Sequence, residues 1–318
     1  MKISVIIPTY NASMTINNLL NMISQQSVQA QEIIIIDSSS TDDTRKICRV
    51  YGAQIIVIKK EEFNHGKTRT IAAKHATGDI LIYFTQDSLP LNYNTLGNII
   101  DKFKNPKVAA AYGKQISHKN TNIFGKHLRY FNYGSESYVR KLEDKYEHGI
   151  KTAFISNSFA AYRKTCLHQI GYFKDNLIFG EDNYAGARLL MENYCIAYAS
   201  DAVVIHSHSY TIFQDLKRYF DMGVFHASHN WLLAEFGNAE GTGLKYIVSE
   251  IKFLFANNAW YMLPQSIIRN MMKYFGYRLG IEFRRIPYSI IFRITMNKVW
   301  WIKTYSSKSQ PLLGNNEY

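Results

Sequence analysis

The stretch EIIIIDSSSTDDTRKICRVYGAQIIVIK, residues 32–59, decides the fold of this chain. It opens with a run of isoleucines that ends at Asp37, and a second β-branched run follows at 53–59. Continuous runs of this kind are typical of strands that are buried on both faces of a parallel sheet. Because residues 42–51 between them have a helical composition, the stretch predicts a strand–helix–strand unit.

The predicted helix in this unit has its own start and stop signals. Ser40 or Thr41 is the expected N-cap. Asp42 and Asp43 are expected in the first turn, where negative charge interacts favourably with the helix dipole. Gly52 is the expected stop at the C-terminal end.

The same alternation continues on both sides of this unit. ISVIIP at 3–8 and DILIYFTQD at 79–87 predict two further strands, and residues 13–26 and 66–76 predict two further helices. Strands that alternate with helices through short connections form a parallel sheet covered by helices. We therefore expect an α/β fold in which ligands bind beyond the carboxyl ends of the strands.

The composition limits the class of protein. The chain has 318 residues, of which 47% are hydrophobic and 14% aromatic, so it is long enough for one or two globular domains. Its three cysteines include no CxxC pair, which argues against a disulfide framework and favours a reducing compartment. The start, MKISVIIPTY, lacks the long apolar segment of a signal peptide, so we expect a cytoplasmic protein. We also expect no spanning helix, because no window of about twenty residues is free of charges and helix breakers.

The net charge of +12 indicates an anionic partner, and most of the positive excess lies near the C-terminus. Residues 241–310 contain eleven Lys or Arg against Glu250 and Glu282, interleaved with many aromatic residues. One interpretation is a set of helices that lie in a membrane interface and contact anionic lipid. The alternatives are a helical subdomain that packs its apolar face on the rest of the chain, or a subunit contact through Trp300 and Trp301. Nucleic acid is not expected, because no nucleic-acid motif accompanies the charge.

Polar segments follow three of the predicted strands: PTYNAS, DSSSTDDT and TQDS. A nucleotide diphosphate needs acceptors for its base, hydroxyl partners for its ribose and a cation for its phosphates. Asp37 is placed to accept a hydrogen bond from a pyrimidine N–H, and Asp87 to bind a hard cation that bridges a diphosphate. Each aspartate alone is equally consistent with a turn residue, but three such strand ends favour a nucleotide site. Neither a G-x-G-x-x-G nor a Walker A motif is present, which disfavours a dinucleotide dehydrogenase and a P-loop ATPase.

Several segments, taken in order, resemble the inverting family-2 glycosyltransferases with a GT-A fold. They are SVIIPTYNA, IIIIDSSSTDDT, FNHGKTRTIAA, GDILIYFTQDSLP, SNSFAAYRK, FGEDNYAGARLL and HSHSYTIFQDLKRYFDMGVFHA. The resemblance covers about residues 1–230, and within the family it is closest to bacterial rhamnosyltransferases of surface polysaccharide synthesis. It implies a GT-A catalytic domain at 1–225, in which a Rossmann-like, mostly parallel sheet has helices on both faces. Residues 226–318 are then a basic, aromatic helical region that associates with a membrane.

The resemblance implies a set of residues that bind the nucleotide-sugar donor. They are Pro8, Thr9, Tyr10, Asn11, Asp37, Ser39, Lys67, Arg69, Gln86, Asp87 and Asn157. Lys67 or Arg69 would supply a cationic contact to phosphate or sugar. Asn157 and Ser158 would lie in a loop that shapes the site between donor and acceptor.

A divalent cation, Mg²⁺ or Mn²⁺, is also implied beside the donor. The metal motif of the family is often Asp-x-Asp, and here it is Thr85-Gln86-Asp87, which leaves Asp87 as the carboxylate at this strand end. VVIHSH ends in two histidines, His206 and His208, which point to the same face of an extended chain. One of the two resembles the additional metal ligand of the family.

The segment LIFGEDNYAGARLL places two adjacent acids, Glu181 and Asp182, at a predicted helix start. Acids are common in a first turn for electrostatic reasons alone. In the family, the Asp of such a pair is the general base that takes the proton of the acceptor hydroxyl, and this position matches Asp182. Glu181 would then raise the proton affinity of Asp182 by like-charge repulsion, or contact the acceptor.

The segments FNHGKTR, TQDSLP and HSHSY favour a deoxysugar donor, dTDP-L-rhamnose. The first alternative is a UDP-sugar donor that carries GlcNAc, Glc or Gal. A nucleotidyltransferase and a non-catalytic nucleotide-sugar-binding protein are the remaining alternatives. The basic, aromatic C-terminal region fits a glycan acceptor carried on polyprenyl diphosphate. We therefore expect an enzyme of O-antigen, capsule or exopolysaccharide synthesis, peripheral at the inner face of the cytoplasmic membrane.

Overall fold

The structure is a computed structural model that describes residues 1–237 and 240–308. Its strands are β1 (Ile3–Thr9), β2 (Glu32–Asp37), β3 (Gln54–Val57), β4 (Ile80–Phe84), β5 (Leu89–Pro90), β6 (Val108–Ile116), β7 (Tyr138–Arg140), β8 (Phe159–Arg163) and β9 (Cys195–Ile205). Its helices are α1 (Ser13–Ser24), α2 (Thr44–Val50), α3 (His65–His75), α4 (Thr95–Asp101), α5 (Ile123–Asn132), α6 (Lys145–His148), α7 (Lys164–Gln169), α8 (Glu181–Met191), α9 (Ile212–Ser228), α10 (Trp231–Phe236), α11 (Glu240–Ala256), α12 (Leu263–Ile281), α13 (Tyr288–Ile294) and α14 (Lys298–Lys308). Short 3₁₀ turns occupy Lys60–Glu62, Lys102–Lys104, Leu142–Asp144, Gly149–Ala153, Trp260–Met262 and Phe283–Arg285.

Within the described residues, the strands form one sheet in the order β3-β2-β1-β4-β8-β6-β9-β5, and β7 pairs with β9. β3, β2, β1 and β4 are parallel, as the alternating sequence predicts. β8 runs antiparallel to both β4 and β6, whereas β6 and β9 are parallel. The predicted α/β class is therefore confirmed.

Alternate residues of the buried strands supply two separate cores. Ile35 and Ile82 pack with residues of α1, α2 and α4 on one face of the sheet. Ile34 and Tyr83 pack with residues of α3, α7, α8 and α9 on the other face. Because successive strand residues point to opposite faces, the sheet is buried on both sides, and this explains the continuous β-branched runs.

The start of α2 differs from the prediction. The helix begins at Thr44, so neither Ser40 nor Thr41 is its N-cap. Ser40 instead donates its N–H and its hydroxyl to the carboxylate of Asp37. Asp42 accepts from the Thr44 hydroxyl before the helix begins. These short-range side-chain bonds compete with the helix and keep the acids in the connecting turn.

The register of the parallel strands brings their polar ends to one edge of the sheet. Thr9 lies opposite Asp37, and Asp37 lies opposite Val57. β4 ends at Phe84, directly before the TQDS segment. This edge is where an open α/β sheet binds its ligands.

Helices α9 and α12 approach each other closely at three glycines, Gly223, Gly276 and Gly280. A Cβ added at Gly276 would stand 2.3 Å from the carbonyl oxygen of Leu216, and one at Gly280 would stand 2.1 Å from that of Phe220. Any side chain at these positions would push the backbones apart, so glycine is required for this packing. The two helices are therefore in direct backbone contact.

The last helices of the described chain pack against the core that covers one face of the sheet. Trp301 is buried in the same core as Ile34 and donates its indole N–H to Thr295 at 3.1 Å. Trp300 donates to the carbonyl of Asn176 at 2.8 Å. Trp301 is thus a core residue and not the subunit or lipid contact considered above. No helix in the described ranges is long and apolar enough to cross a bilayer.

Candidate active site

The two adjacent acids lie in the first turn of α8, after Gly180, whose positive φ of 79° starts the helix. Asp182 accepts hydrogen bonds at both carboxylate oxygens. The backbone N–H of Asn157 donates to its Oδ2 at 3.1 Å, and that of Asn183 donates to its Oδ1 at 2.9 Å. These bonds fix the carboxylate at the edge where β8 begins.

Glu181 is buried and forms an ion pair with the equally buried Arg69, at 3.1 Å between Oε1 and Nη1. The amide of Asn157 donates to the same oxygen at 3.2 Å and accepts from the Tyr162 hydroxyl at 2.8 Å. The guanidinium of Arg69 therefore neutralises Glu181. The side chain of Asn157 is bonded to Glu181 and Tyr162. The contacts of Arg69 and Asn157 to the donor stay predictions.

The two acids have opposite pKa shifts. Burial, reinforced by the negative charge of Glu181, raises the pKa of Asp182 to about 7. Burial alone would also raise the pKa of Glu181, but the positive charges of Arg69 and His65 hold it below its ordinary value. Neighbouring carboxyls with separated pKa values are typical of sites in which one group is a permanent anion and the other exchanges a proton.

A second cluster forms where β9 ends beside β5, the short strand that follows the TQDS segment. The side chains of Asp87, His206 and His208 offer ligand atoms that all lie within 4.8 Å of one another. Asp87 Oδ1 is 3.6 Å from His206 Nε2. His206 Nδ1 lies 2.9 Å from the amide oxygen of Gln115, which leaves Nε2 as the nitrogen with a free lone pair. Burial lowers the pKa of His206 to about 3, so its ring is neutral, as a metal ligand must be.

Thr85 and Gln86, the other residues of the TQD segment, have roles different from that of Asp87. The Gln86 amide oxygen accepts from the backbone N–H of Tyr10 at 2.9 Å, and its nitrogen donates to the Tyr10 carbonyl at 3.3 Å. Gln86 thus holds the loop after β1. Thr85 stands where the family's first metal-motif acid is expected, and its hydroxyl is buried without a hydrogen-bond partner in the described structure. That hydroxyl is available to a bound molecule.

One loop connects the two clusters. Gln115, which orients His206, donates to the hydroxyl of Ser156 at 2.9 Å. The next residue, Asn157, holds both Asp182 and Glu181. A chain of hydrogen bonds therefore connects Asp182 to His206. Burial raises the pKa of the nearby Tyr133.

Asp37 lies at the end of β2. Its carboxylate has no exposed surface and is bonded to Thr9 at 2.9 Å and to Ser40. It organises the turn at 38–41, and its contact to a pyrimidine N–H stays a prediction. Thr9 is committed to the same bond.

The loops around Asp37 carry the remaining donor-site predictions. Ser39 and Asn11 both have positive φ values, 59° and 46°, and Ser39 donates to the Ile58 carbonyl at 2.8 Å. Asn11 accepts from the N–H of Thr41 at 2.9 Å. Tyr10 is 38% exposed, and its hydroxyl accepts from Lys60 at 2.7 Å. Of these residues, Tyr10 and Asn11 are both exposed.

Pro8 and Lys67 complete the predicted set. Pro8 pairs with Ile36 near the end of β1, so it positions the loop that follows. Lys67 is exposed and lies away from the Glu181 pair, on the wall of a cavity of about 540 Å³ between α3 and α8. The other cations that line this cavity are Lys74, Lys174 and Arg188.

Two arginines in this site were not predicted from the sequence. Burial lowers the pKa of both His206 and His208, and the positive charge of Arg129 on α5 lowers it further. Arg129 Nε is buried without a hydrogen-bond partner in the described residues. Arg218 on α9 donates to the Tyr210 hydroxyl at 3.1 Å, close enough to Arg129 for the two charges to interact. Neither arginine has an ion pair with a carboxylate in the part of the chain described.

Comparison with known proteins identifies the family. The model described as "Glycosyl transferase family 2" matches residues 4–171, more than half of the chain. The chain belongs to glycosyl transferase family 2. It is therefore a glycosyltransferase, and the nucleotidyltransferase and the non-catalytic alternatives are set aside.

Two curated relatives of this family-2 enzyme are similar over nearly their whole length. The O-antigen chain rhamnosyltransferase WbaN of Salmonella anatum is 41% identical, with 97% of this chain and 98% of the relative covered. The O-antigen chain rhamnosyltransferase RfbN of Salmonella typhimurium is 38% identical, with 98% of this chain and 100% of the relative covered. The expected relationship to rhamnosyltransferases is confirmed.

Solved structures confirm the GT-A fold of this family-2 enzyme. The mannosyltransferase PcManGT from Pyrobaculum calidifontis, in complex with GDP-Man and Mn²⁺, matches with a TM-score of 0.63 at 17% identity, over 90% of this chain and 88% of that one. S. aureus TarS 1-349, in complex with UDP-GlcNAc, matches with a TM-score of 0.55 at 21% identity, over 90% and 92% of the two chains. At these identities, the likeness concerns the fold.

Proposed function

We propose that this glycosyltransferase moves L-rhamnose from dTDP-L-rhamnose to a glycan acceptor with inversion of the anomeric configuration. The names of the two full-length Salmonella relatives support the choice of sugar and of an O-antigen type of product. A UDP-sugar donor remains the second candidate, because TarS binds UDP-GlcNAc on the same fold.

Asp182 is the proposed general base. Its carboxylate takes the proton of the acceptor hydroxyl while that oxygen forms a bond to the anomeric carbon. The bond from the anomeric carbon to the diphosphate oxygen breaks on the opposite face, and its electron pair leaves with the dTDP. A carboxyl whose pKa is raised to about 7 is a stronger base than an ordinary aspartate, and about half of it is ionised near neutral pH.

Glu181 is proposed to act on Asp182 and not on the substrate. Its side chain is buried, and both Arg69 and Asn157 bond to its Oε1. Its charge raises the pKa of Asp182. Arg69 keeps Glu181 ionised and thereby maintains that effect.

Asp87, His206 and His208 would hold a divalent cation, Mg²⁺ or Mn²⁺. One carboxylate and two neutral imidazoles suit such an ion, and the bond from Gln115 orients one imidazole for it. When bound, the ion would neutralise charge that develops on the leaving diphosphate. The Thr85 hydroxyl, which lacks a partner, and the cations Arg129 and Arg218 would contact the same nucleotide diphosphate.

We further propose that residues 1–225 form the catalytic domain and that residues 226–318 associate with a membrane. The acceptor would be carried on polyprenyl diphosphate, so the enzyme would work at the inner face of the cytoplasmic membrane. The excess of basic and aromatic residues at 241–310 supports this location.

The observation that carries the proposed function is the loop at residues 156–157. Its Ser156 accepts a hydrogen bond from Gln115, which orients His206, and the backbone N–H of its Asn157 donates to Asp182. The test is incubation with a panel of nucleotide sugars, Mn²⁺ and a lipid-linked glycan, scored for release of the nucleoside diphosphate and for the configuration of the product. We expect turnover with dTDP-L-rhamnose and an inverted product. Turnover with a UDP-sugar alone would replace the donor, and a product of retained configuration would overturn the role of Asp182.

A further inference from the structure

Helix α12 has the reverse of the side-chain distribution found in a water-soluble helix. Its apolar residues Ile267, Ile268, Met271, Tyr274, Phe275 and Leu279 are each between 40% and 62% exposed. Its buried residues are Ser266, Arg269, Lys273, Gly276 and Gly280. At 100° per residue, the exposed apolar residues form one continuous stripe, and the buried polar and small residues lie opposite it.

Helix α11 repeats this arrangement. Leu244, Ile247, Val248, Ile251 and Phe255 are between 37% and 68% exposed and lie on one side of the helix. Glu250, on the other side, has no exposed surface. We call these five residues, together with the exposed apolar residues of α12, the outer face of the α11–α12 hairpin.

A polar network occupies the inside of the hairpin. Glu250 accepts from the hydroxyl of Ser266 and from the amide of Asn270 at 2.8 Å, while Lys273 donates to the Tyr246 hydroxyl at 3.1 Å. These bonds join the two helices side by side. These hydrogen-bonded polar groups hold the outer face outward, and turning the helices inward would break the bonds between buried polar side chains.

A second network joins the hairpin to α5 and α9. Arg269 forms an ion pair with Asp215 of α9. His127 of α5 lies 3.0 Å from the hydroxyl of Ser249 and 3.4 Å from Glu250. The hairpin is thus fixed on the catalytic half in this orientation.

The surroundings of the outer face are basic. Lys245 and Lys252 are exposed beside the apolar stripe of α11, and Arg278 is exposed within that of α12. Arg284 is exposed just after the hairpin. At the turn between the helices, Trp260 and Tyr261 are 61% and 66% exposed, and such aromatic residues favour the boundary between lipid and water.

We propose that the outer face inserts into the headgroup region of a bilayer that contains anionic lipid, as a monotopic surface. This proposal deepens the membrane location included in the proposed function and rests on it. The apolar stripes replace water with acyl chains, and the surrounding cations contact lipid phosphates. A second copy of this chain is the less suitable occupant, because two such basic surfaces would repel each other at their rims.

The test is sedimentation of the full-length chain with vesicles of phosphatidylcholine, with and without phosphatidylglycerol. We expect binding to the anionic vesicles. The variant Ile267→Ser/Met271→Ser/Phe275→Ser should bind them at least about tenfold more weakly, because it removes apolar area from the outer face. The matched control is Met14→Ser/Val50→Ser/Val57→Ser, which changes three apolar residues exposed elsewhere and should bind as the unmodified chain does.

The charge variant Lys245→Gln/Lys252→Gln/Arg278→Gln separates the electrostatic contribution to vesicle binding from the apolar one. We expect a loss of about fivefold per cation on anionic vesicles and little change on neutral ones. Trp260 should shift its fluorescence to shorter wavelength on binding, and a Trp260→Phe variant identifies that signal. Unfolding monitored by circular dichroism verifies that each variant is folded.

Sedimentation velocity without lipid tests the alternative, in which the outer face is a contact between two copies of the chain. A chain that ignores both kinds of vesicle, and whose dimer the Ile267→Ser/Met271→Ser/Phe275→Ser variant breaks, would overturn the proposal and make the outer face a contact between copies. The vesicle assay needs no donor, so it stands even if dTDP-L-rhamnose is not the substrate. Conversely, the outer-face variants should retain turnover with a water-soluble acceptor, so failed transfer and failed membrane binding are distinguishable.

Discussion

The backbone N–H of Asn157 donates a hydrogen bond of 3.1 Å to Oδ2 of Asp182. The side chain of Asn157 bonds Glu181, and the preceding residue, Ser156, bonds the Gln115 that orients His206. One short loop therefore fixes the position of Asp182, the proposed base, relative to His206, a proposed metal ligand. Since a misplacement of about 1 Å can reduce a rate a hundredfold, this loop matters as much as the residues it holds.

Replacing Asp182 by Asn should remove the base and preserve its shape. We expect kcat to fall by roughly 10²–10⁴-fold, with dTDP binding measured by calorimetry almost unchanged. Asp201→Asn is the matched control, since Asp201 is a partly exposed carboxylate on β9 that pairs with Lys102. Near-normal turnover in Asp182→Asn would show that another group takes the proton.

The acidic limb of the pH profile should report Asp182. Because the base must be ionised, kcat/KM should fall about tenfold per pH unit below about 7, the value to which burial and Glu181 raise its pKa. Glu181→Gln removes the like charge, so the limb should move to lower pH. Burial still acts, and the limb should therefore stay above the ordinary value for aspartate. A limb that does not move would contradict the role given to Glu181.

Gln115→Leu should weaken metal binding without changing a ligand. Loss of the 2.9 Å contact to His206 Nδ1 frees the imidazole to rotate, so we expect Mn²⁺ affinity to fall about 10–100-fold. Electron paramagnetic resonance of free Mn²⁺ measures this directly. His75→Ala, at an exposed histidine on α3, is the control. Unchanged Mn²⁺ affinity would place the metal elsewhere.

Arg129→Ala should impair use of the donor. If its guanidinium contacts the leaving diphosphate, kcat/KM for the donor should fall by roughly a hundredfold, and Arg129→Lys should restore part of it. Lys104→Ala, at a lysine whose side chain is 79% exposed, is the control. A large loss in Lys67→Ala with none in Arg129→Ala would return the phosphate contact to Lys67.

Gly280→Ala should destabilise the protein. The added Cβ would stand 2.1 Å from the Phe220 carbonyl oxygen, so α9 and α12 must separate, at a cost of about 1–3 kcal/mol. Thermal unfolding measures the loss. Gly243→Ala is the matched helical control, because nothing lies within 4 Å of its added Cβ, and it should stabilise α11 by up to about 1 kcal/mol. Equal melting temperatures for the two variants would contradict the close contact.

The sequence was most informative where burial is a local property. The runs ISVIIP and EIIIID predicted β1 and β2 because a strand covered on both faces is apolar throughout. The proximity of His206, His208 and Asp87 could be predicted because each follows a strand that ends at the same edge of the sheet. The sequence failed where a side chain finds a distant partner. Neither Arg69 nor Glu181 carries a local sign of the other.

The C-terminal helices show a different limit. The spacing of Ile267, Met271 and Phe275 identifies an amphipathic helix, but it does not tell which side is covered by protein. That choice depends on whether Arg269 and Lys273 find partners, and these come from Asp215 on α9 and Tyr246 on α11. Arg129 likewise stands in an ordinary helical context, and only its neighbours reveal its importance.

The glycine contact between α9 and α12 has a mechanical consequence. α9 begins at Ile212, shortly after His208, and its backbone contacts α12 directly, so packed helices connect the end of β9 to the hairpin. An enzyme mounted in this way would keep its cleft at a constant height and tilt above the lipid plane. A glycan that diffuses laterally on its polyprenyl carrier would then meet the cleft in one orientation, so the mounting would help to select which hydroxyl receives the sugar.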